Sequence, residues 1–214
     1  MLRIKKFVFS PFLENTYVVF DDLTFETAII DPGCYDEIEK GILKKFILEN
    51  NLSVKYIINT HCHLDHIFGN SFCKKLFDCK LMVPEKEMTL LKNLGEQAKF
   101  YNLVAEPSPQ PDLFINEDIS IMIGSSIGRF LFTPGHTPGE HCLYFEKENI
   151  CFTGDVLFKE SVGRTDLIGG DYDALMSSIK SKLFVLPDDV VIYPGHDENS
   201  TIGDEKKLNP FFQN

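Results

Sequence analysis

The densest group of chemically capable side chains is the run Thr-His-Cys-His-Leu-Asp-His at positions 60–66. In extended backbone, residues two apart project to the same side, so His61 and His63 are placed to share one metal ion. Asp65 and His66 cannot easily point to that ion, and we expect them to face a second one nearby. Clustered polar side chains need partners if they are buried, and metal ions would supply them.

Three later motifs each place one potential ligand after a predicted strand. His136 ends the run Thr-Pro-Gly-His, Asp155 ends Phe-Thr-Gly-Asp, and His196 ends Tyr-Pro-Gly-His. Proline and glycine fix the backbone of such loops, and a carboxylate can bridge two cations. Each motif alone is a weak signal, because Pro-Gly turns are common and an aspartate after a strand often caps a helix. Together with the first four ligands they make a set of seven, which suits two metals.

The elements that position these ligands are strands alternating with helices. The opening third predicts a β-meander, and the predicted strand 54–58 runs directly into the first histidines. Functional sites in α/β proteins favour the carboxyl ends of strands. The second half repeats the alternation of strands and helices. We expect two β-sheets packed face to face with helices outside, forming one domain over residues 1–214.

Three predicted helices and one loop complete this outline. Five apolar residues recur at helical spacing and predict a helix with that face on a sheet: Ile38, Ile42, Leu43, Phe46 and Ile47. The stretches 66–77 and 85–101 also predict helices. The proline-rich stretch 106–112 resists regular structure and is a candidate lid.

Composition excludes several classes of partner. The chain has 214 residues and a formal net charge of -11, whereas nucleic-acid binding needs concentrated basic surface. It has neither an uninterrupted apolar stretch of ~18 residues nor an apolar run of signal-peptide type near its start. The six cysteines lack paired CxxC spacing, which indicates reduced, buried thiols. We expect a cytoplasmic protein that acts on a small molecule, without a nucleic-acid or membrane partner.

The motifs, in this order, resemble those of the metallo-β-lactamase superfamily, whose HxHxDH motif matches residues 61–66. The resemblance covers essentially the whole chain and implies an α/β fold, the four-layer αββα sandwich of that family. It also divides the seven residues into two ligand sets and a bridge: His61, His63 and His136; Asp65, His66 and His196; and Asp155. The two divalent ions would be zinc, with iron or manganese as alternatives, since His and Asp ligands suit all three.

Several segments are similar to one branch of that family, the glyoxalase II-like enzymes, and in particular the small bacterial hydroxyacylglutathione hydrolases. They are residues 154–158, 161–166, 169–171, 200–205 and 209–211. This resemblance implies hydrolysis of a thioester such as a hydroxyacylglutathione. Two metals would make a bound water acidic and polarise the scissile carbonyl, and Asp65 would also orient the attacking water.

Arg164 is a candidate for binding a substrate carboxylate through its planar, two-pronged guanidinium. The alternative is a structural pair with Asp166 or Asp171. The chain also departs from the branch in two ways. We expect no separate C-terminal substrate-binding domain, and the pair Asp197-Glu198 stands where a Gly-Pro pair usually follows the last Pro-Gly-His, which adds two acids beside the second metal.

Two rival activities remain open, and a third is not expected. Mononuclear iron persulfide dioxygenases use the same scaffold, but usually carry Gly-Cys and Phe-Gln where this chain has Ser161-Val162 and Leu167-Ile168. A phosphodiesterase for small molecules would use the same pair of metals. The best-known zinc β-lactamases lack a histidine at position 66 and carry a cysteine at position 155, so antibiotic hydrolysis is not expected.

Overall fold

A computed structural model of the protein describes residues 1–213. The chain forms two compact units, one of Met1–Phe114 with Met122–Ser126 and the other of Ile115–Ile121 with Ile127 onward. Each unit contains most of one main sheet together with helices that flank it. None of the helices within residues 1–213 has both the length and the apolar character needed to cross a membrane.

The first sheet begins as the predicted meander. Strands β1, β2 and β3 are antiparallel, and β3, β4 and β5 are parallel. Parallel neighbours need crossover connections, which the helices provide. In the order in which they lie side by side, the strands are β1 (Leu2–Phe9), β2 (Glu14–Asp21), β3 (Glu26–Ile30), β4 (Ser53–Ile58), β5 (Lys80–Pro84) and β6 (Leu113–Ile115).

The helices of the first unit are α1 (Glu37–Glu49), α2 (Leu64–Ile67), α3 (Asn70–Phe77), α4 (Met88–Lys92) and α5 (Leu94–Phe100), with a 3-10 turn at Glu85–Glu87. The predicted apolar face of α1 is only partly right. Leu43 and Ile47 are buried, but Ile38 and Ile42 are 74% and 46% exposed. Viewed along the helix axis, each lies at least 100° from Leu43, outside the stripe of buried side chains.

The two other predicted helices of this unit are interrupted. The stretch 85–101 breaks at Asn93, whose backbone is not helical. The stretch 66–77 breaks at Gly69, whose N–H donates to the Pro32 carbonyl at 2.7 Å. A Cβ at Gly69 would lie 2.5 Å from the Cys34 sulfur, so only glycine allows this close approach to the loop after β3.

The second unit carries the other main sheet. Its strands are β7 (Ser120–Ile123), β8 (Ser126–Phe132), β9 (His141–Phe145), β10 (Ile150–Gly154), β13 (Val191–Pro194) and β14 (Ser200–Thr201). They lie side by side in the order β14-β13-β10-β9-β8-β7. A separate hairpin joins β11 (Leu157–Phe158) to β12 (Ser161–Val162). The helices are α6 (Tyr172–Ser178), which continues as a π-helical turn over Ile179–Leu183, and α7 (Ile202–Leu208). Short 3-10 turns lie at Glu146–Glu148 and Pro210–Phe212. The hairpin and α7 were not predicted from the sequence.

Candidate metal centre

The first cluster consists of His61, His63, Asp65 and His66, and the structure brings these four side chains together. Strand β4 ends at Ile58, and the extended backbone of His63 then starts α2, whose first turn carries Asp65 and His66. All four residues are buried. The His61 ring lies 4.9 Å from that of His63 and 4.1 Å from that of His66, measured between centroids. The change from strand to helix turns the last two ligands in a new direction.

Asp31 holds this cluster in place, although it lies outside the predicted ligand set. Its carboxylate accepts hydrogen bonds from the Thr60 backbone N–H at 2.8 Å and the Thr60 hydroxyl at 2.7 Å. Its Oδ2 also lies 3.1 Å from Nδ1 of His66. Strands β3 and β4 are parallel, and Ile30 pairs with Ile58, so the two strand ends lie side by side. A correct pairing of these strands would have predicted the contact between Asp31 and Thr60.

These contacts fix which ring nitrogen of each histidine can bind a metal. The Thr60 hydroxyl lies 3.1 Å from Nδ1 of His61 and already donates its proton to Asp31, so Nδ1 of His61 must be the donor. In the His61 ring Nε2 then carries the lone pair. The negative charge of Asp31, 3.1 Å from Nδ1 of His66, favours the same tautomer in that ring. This is the tautomer that a metal-binding histidine needs.

Cys62, between two ligand candidates, does not share their role. Its side chain is fully buried in the apolar core, and burial raises the pKa of the thiol well above its usual value. All six cysteines are free and buried, as predicted. The thiol of Cys62 therefore serves as apolar packing.

The second cluster consists of His136, Asp155 and His196, which the second unit also brings together. Oδ2 of Asp155 lies 3.5 Å from Nε2 of His136 and 3.6 Å from Nε2 of His196. Strands β10 and β13 are parallel neighbours, and the Gly195 N–H donates to the Gly154 carbonyl at 2.7 Å. Asp155 and His196 therefore lie at the ends of neighbouring strands, and His136 follows β8 in the same sheet.

Backbone and carboxylate contacts also orient this cluster. Nδ1 of His136 lies 2.7 Å from the Arg164 carbonyl, which can only accept, so Nε2 again carries the lone pair. The Asp155 N–H donates to the fully buried Glu140 at 2.7 Å. A Cβ at Gly163 would lie 1.9 Å from the Asp155 carbonyl, so the residue before Arg164 must be glycine. Glu140 lies 15 positions before Asp155, and no sequence motif pointed to it.

The Arg164 side chain is engaged with Asp166. Its Nε and a terminal nitrogen each donate to one Asp166 oxygen at 2.7 Å, and this pairing lowers the pKa of Asp166 to about 2. Asp171 instead caps α6 by accepting from the Ala174 N–H. The structural alternative for Arg164 is thus realised through Asp166. Its carbonyl, which orients His136, is the part that contacts a ligand candidate.

The two acids after His196 are accommodated separately. Asp197 adopts a left-handed backbone with φ of 64°, a conformation that aspartate tolerates better than most residues. The Glu198 carboxylate accepts from Lys159 at 2.6 Å and is 78% exposed. Its charge is therefore matched at the surface.

His141, the histidine outside the predicted ligand set, is buried and packed. Its ring lies 5.1 Å from that of Phe132, and its Nδ1 lies 2.7 Å from the Gly139 carbonyl. It belongs to neither cluster.

Comparison with known proteins identifies the family. The family model described as the metallo-beta-lactamase superfamily matches residues 10–196. The chain belongs to the metallo-β-lactamase superfamily. Hydroxyacylglutathione hydrolase GloC of Haemophilus influenzae is 38% identical over 204 residues, which cover 94% of each chain. The resemblance to this superfamily and to the small hydroxyacylglutathione hydrolases is thereby confirmed.

Two solved structures extend the comparison to the fold. The B3 metallo-β-lactamase BLEG-1 matches with a TM-score of 0.89 at 32% identity, over 99% of this chain and 100% of that one. TTHA1623, solved in a di-iron-bound form, matches with a TM-score of 0.86 at 31% identity, over 97% and 99% of the two chains. The predicted α/β class is confirmed, since two main sheets flanked by helices match the fold of the superfamily. Membership and the His and Asp clusters support a metal-dependent hydrolase.

Proposed function

We propose that the protein is a two-metal hydrolase of thioesters such as hydroxyacylglutathiones. The observation that carries the proposal is the orientation of the histidine rings. His61, His66 and His136 each direct Nδ1 to a protein group, which leaves Nε2 for a metal. The similarity to GloC supports the thioester as substrate. The pairing of Glu198 with Lys159 is compatible with an anionic thiol carrier, because it neutralises one of the two added acids.

The ligand sets proposed are those of the family. We propose that His61, His63 and His136 hold one metal ion and that Asp65, His66 and His196 hold the other. Asp155 is proposed as the bridging ligand, consistent with its position near Nε2 of both His136 and His196.

Buried imidazole and carboxylate donors fit divalent zinc, iron or manganese. When bound, two such ions would supply an acidified water and polarise the scissile carbonyl. Asp65 is proposed both to bind a metal and to orient the attacking water. Zinc remains our first choice, and the di-iron form of TTHA1623 makes iron the leading alternative.

Metal analysis followed by an activity assay on the same sample tests this proposal. The protein is purified without added metal, its metal content is measured, and hydrolysis of S-lactoylglutathione is followed with and without a chelator. We expect about two metals per chain and hydrolysis that the chelator abolishes. A metal-free protein with full activity would contradict the proposal.

The same preparation separates the rival activities. Oxygen consumption with glutathione persulfide and one iron per chain would favour the dioxygenase. Hydrolysis of bis-p-nitrophenyl phosphate, without thioester hydrolysis, would favour a phosphodiesterase. BLEG-1, which is 32% identical to this chain, is named as a β-lactamase. A chromogenic cephalosporin should therefore be tested as a substrate as well, and we expect no hydrolysis of it.

A further inference from the structure

Cys62 connects two proposed ligands of one metal through the peptide groups on either side of it. His61 and His63 flank it, and because alternate residues point in opposite directions, its own side chain enters the core. Rotation of either peptide group about the chain direction would move the adjacent imidazole. The groups that hold these two peptide groups therefore bear on the geometry of the proposed site.

Two side chains from distant positions bond to these two peptide groups, one to each. Glu87 accepts from the Cys62 N–H at 3.0 Å, and Nε2 of Gln97 donates to the Cys62 carbonyl at 3.1 Å. Glu87 is fully buried and lies in the 3-10 turn before α4. Gln97 lies on α5, and its Nε2 also donates to the Leu90 carbonyl of α4 at 2.9 Å, which fixes its amide.

We propose that Glu87 and Gln97 are positioning residues that clamp the two peptide groups of Cys62 and so set the separation and tilt of His61 and His63. This inference rests on the proposed metal site. Glu87 holds the peptide group between His61 and Cys62, and Gln97 holds the one between Cys62 and His63, so the two bonds together oppose rotation of the backbone on both sides of Cys62. Loss of either partner leaves a buried backbone group without its bond and frees the loop to move.

The clamp differs from a merely structural contact in what it controls. A structural contact would change the stability of the fold without changing metal affinity. A positioning contact changes the affinity of the loop for a metal, as partners that orient ligands do in other metal sites. Metal affinity and the stability of the metal-free protein must therefore be measured together.

The test uses variants of the full-length protein with matched controls. Gln97→Met keeps the length of the side chain and removes the donor, Glu87→Ala removes the acceptor, and Glu87→Gln keeps an acceptor at the same place. Glu85→Ala and Glu96→Ala remove exposed carboxylates from the same turn and the same helix. Zinc affinity is measured by competition with a colorimetric chelator, and the unfolding midpoint of each metal-free protein is measured by circular dichroism.

We expect Gln97→Met and Glu87→Ala to weaken zinc binding about tenfold or more, and Glu87→Gln by no more than about threefold. The two exposed controls should bind zinc as the wild type does. The double variant Gln97→Met with Glu87→Ala should lose less than the sum of the single losses, since both act on the backbone of one residue, Cys62.

Unchanged zinc affinity in both Gln97→Met and Glu87→Ala would overturn the clamp, and so would a lowered midpoint without weaker binding. If Glu87→Ala does not fold, Gln97→Met and Glu87→Gln still decide. Wild-type protein that binds zinc but hydrolyses no thioester would contradict the proposed function alone, and the clamp would stand on the affinities. Wild-type protein that binds no zinc would contradict both.

Discussion

His66 illustrates how much of a metal site depends on residues outside the ligand set. Asp31 contacts its Nδ1 and also holds both the N–H and the hydroxyl of Thr60, the residue that orients His61. One carboxylate therefore positions two imidazoles. It does so from a left-handed backbone with φ of 47°, which is uncommon outside glycine, asparagine and aspartate. Such a conformation persists only where its surroundings require it.

Replacing Asp31 by asparagine should therefore weaken metal binding without removing a ligand. The amide keeps the shape of the side chain but loses the charge and one acceptor, so the proton on Nδ1 of His66 is no longer favoured. We expect metal affinity to fall about 10- to 100-fold, as for other groups that orient ligands. Chelator competition measures the loss, with the exposed Asp118→Asn as control. Equal affinities in the two variants would exclude this role for Asp31.

Arg164 and Asp166 allow a second test at single residues. If Arg164 binds a substrate carboxylate, Asp166 competes with the substrate for the same guanidinium. Asp166→Ala should then lower KM for an anionic thioester, and Arg164→Ala should raise it about tenfold, with kcat little changed. Metal content should stay constant in both, because His136 contacts the carbonyl of Arg164 and not its side chain. Unchanged KM in both variants would leave Arg164 with a structural role only.

At the scale of elements, apolar patterns predicted the strands well and the interruptions of helices poorly. Strand β4 was expected because a short apolar run leads into the first cluster, and it forms as expected. The break at Gly69 was missed because its cause is a bond to Pro32, 37 positions away. Local spacing carries no information on such contacts.

The proposed lid is a related case. Residues 106–112 lack regular structure, as expected, but ion pairs of Lys75 with Glu106 and of Lys74 with Asp112 hold both ends of the segment to α3. In its middle, the Ser108 hydroxyl accepts from Asn70 at 3.0 Å. Nothing in its composition predicted these anchors, and they argue for a fixed loop.

Two glycines show how packing decides whether a glycine-to-alanine substitution stabilises or destabilises the protein. Gly163 follows β12, where an added Cβ would collide with the Asp155 carbonyl, whereas Gly41 in the middle of α1 has nothing within 4 Å of that position. Gly163→Ala should lower both the unfolding midpoint and the metal content, because it displaces the strand end that carries Asp155. Gly41→Ala should raise stability by roughly 0.5–1 kcal/mol through helix propensity alone. Thermal unfolding and metal analysis of the pair test this, and a Gly163→Ala protein with normal metal content would contradict it.

For the whole molecule, the order of the ligand motifs was enough to predict the fold and the family. Motif order works because the ligands stand at strand ends, and the fold determines where those ends lie. The residues that orient the ligands were not predictable in this way. Asp31 comes from a different strand end, Glu140 precedes β9, and Gln97 reaches the Cys62 peptide from a helix 35 residues away. Their roles arise only when distant elements pack.

The stability of the whole molecule should accordingly depend on its metals. A ligand that binds only the folded state stabilises it by about 2.7 kcal/mol when present at 100 times its dissociation constant. For a chain of this size that corresponds to about 5 to 10 °C in the unfolding midpoint. We expect a chelator to lower the midpoint by about this amount and zinc to restore it. Asp155→Ala should lose most of this response, because the proposed bridging carboxylate is gone, whereas the exposed Asp173→Ala should keep it. A midpoint that does not respond to chelator in the wild type would show that the folded state does not need metal, and would leave the two clusters without the role proposed for them.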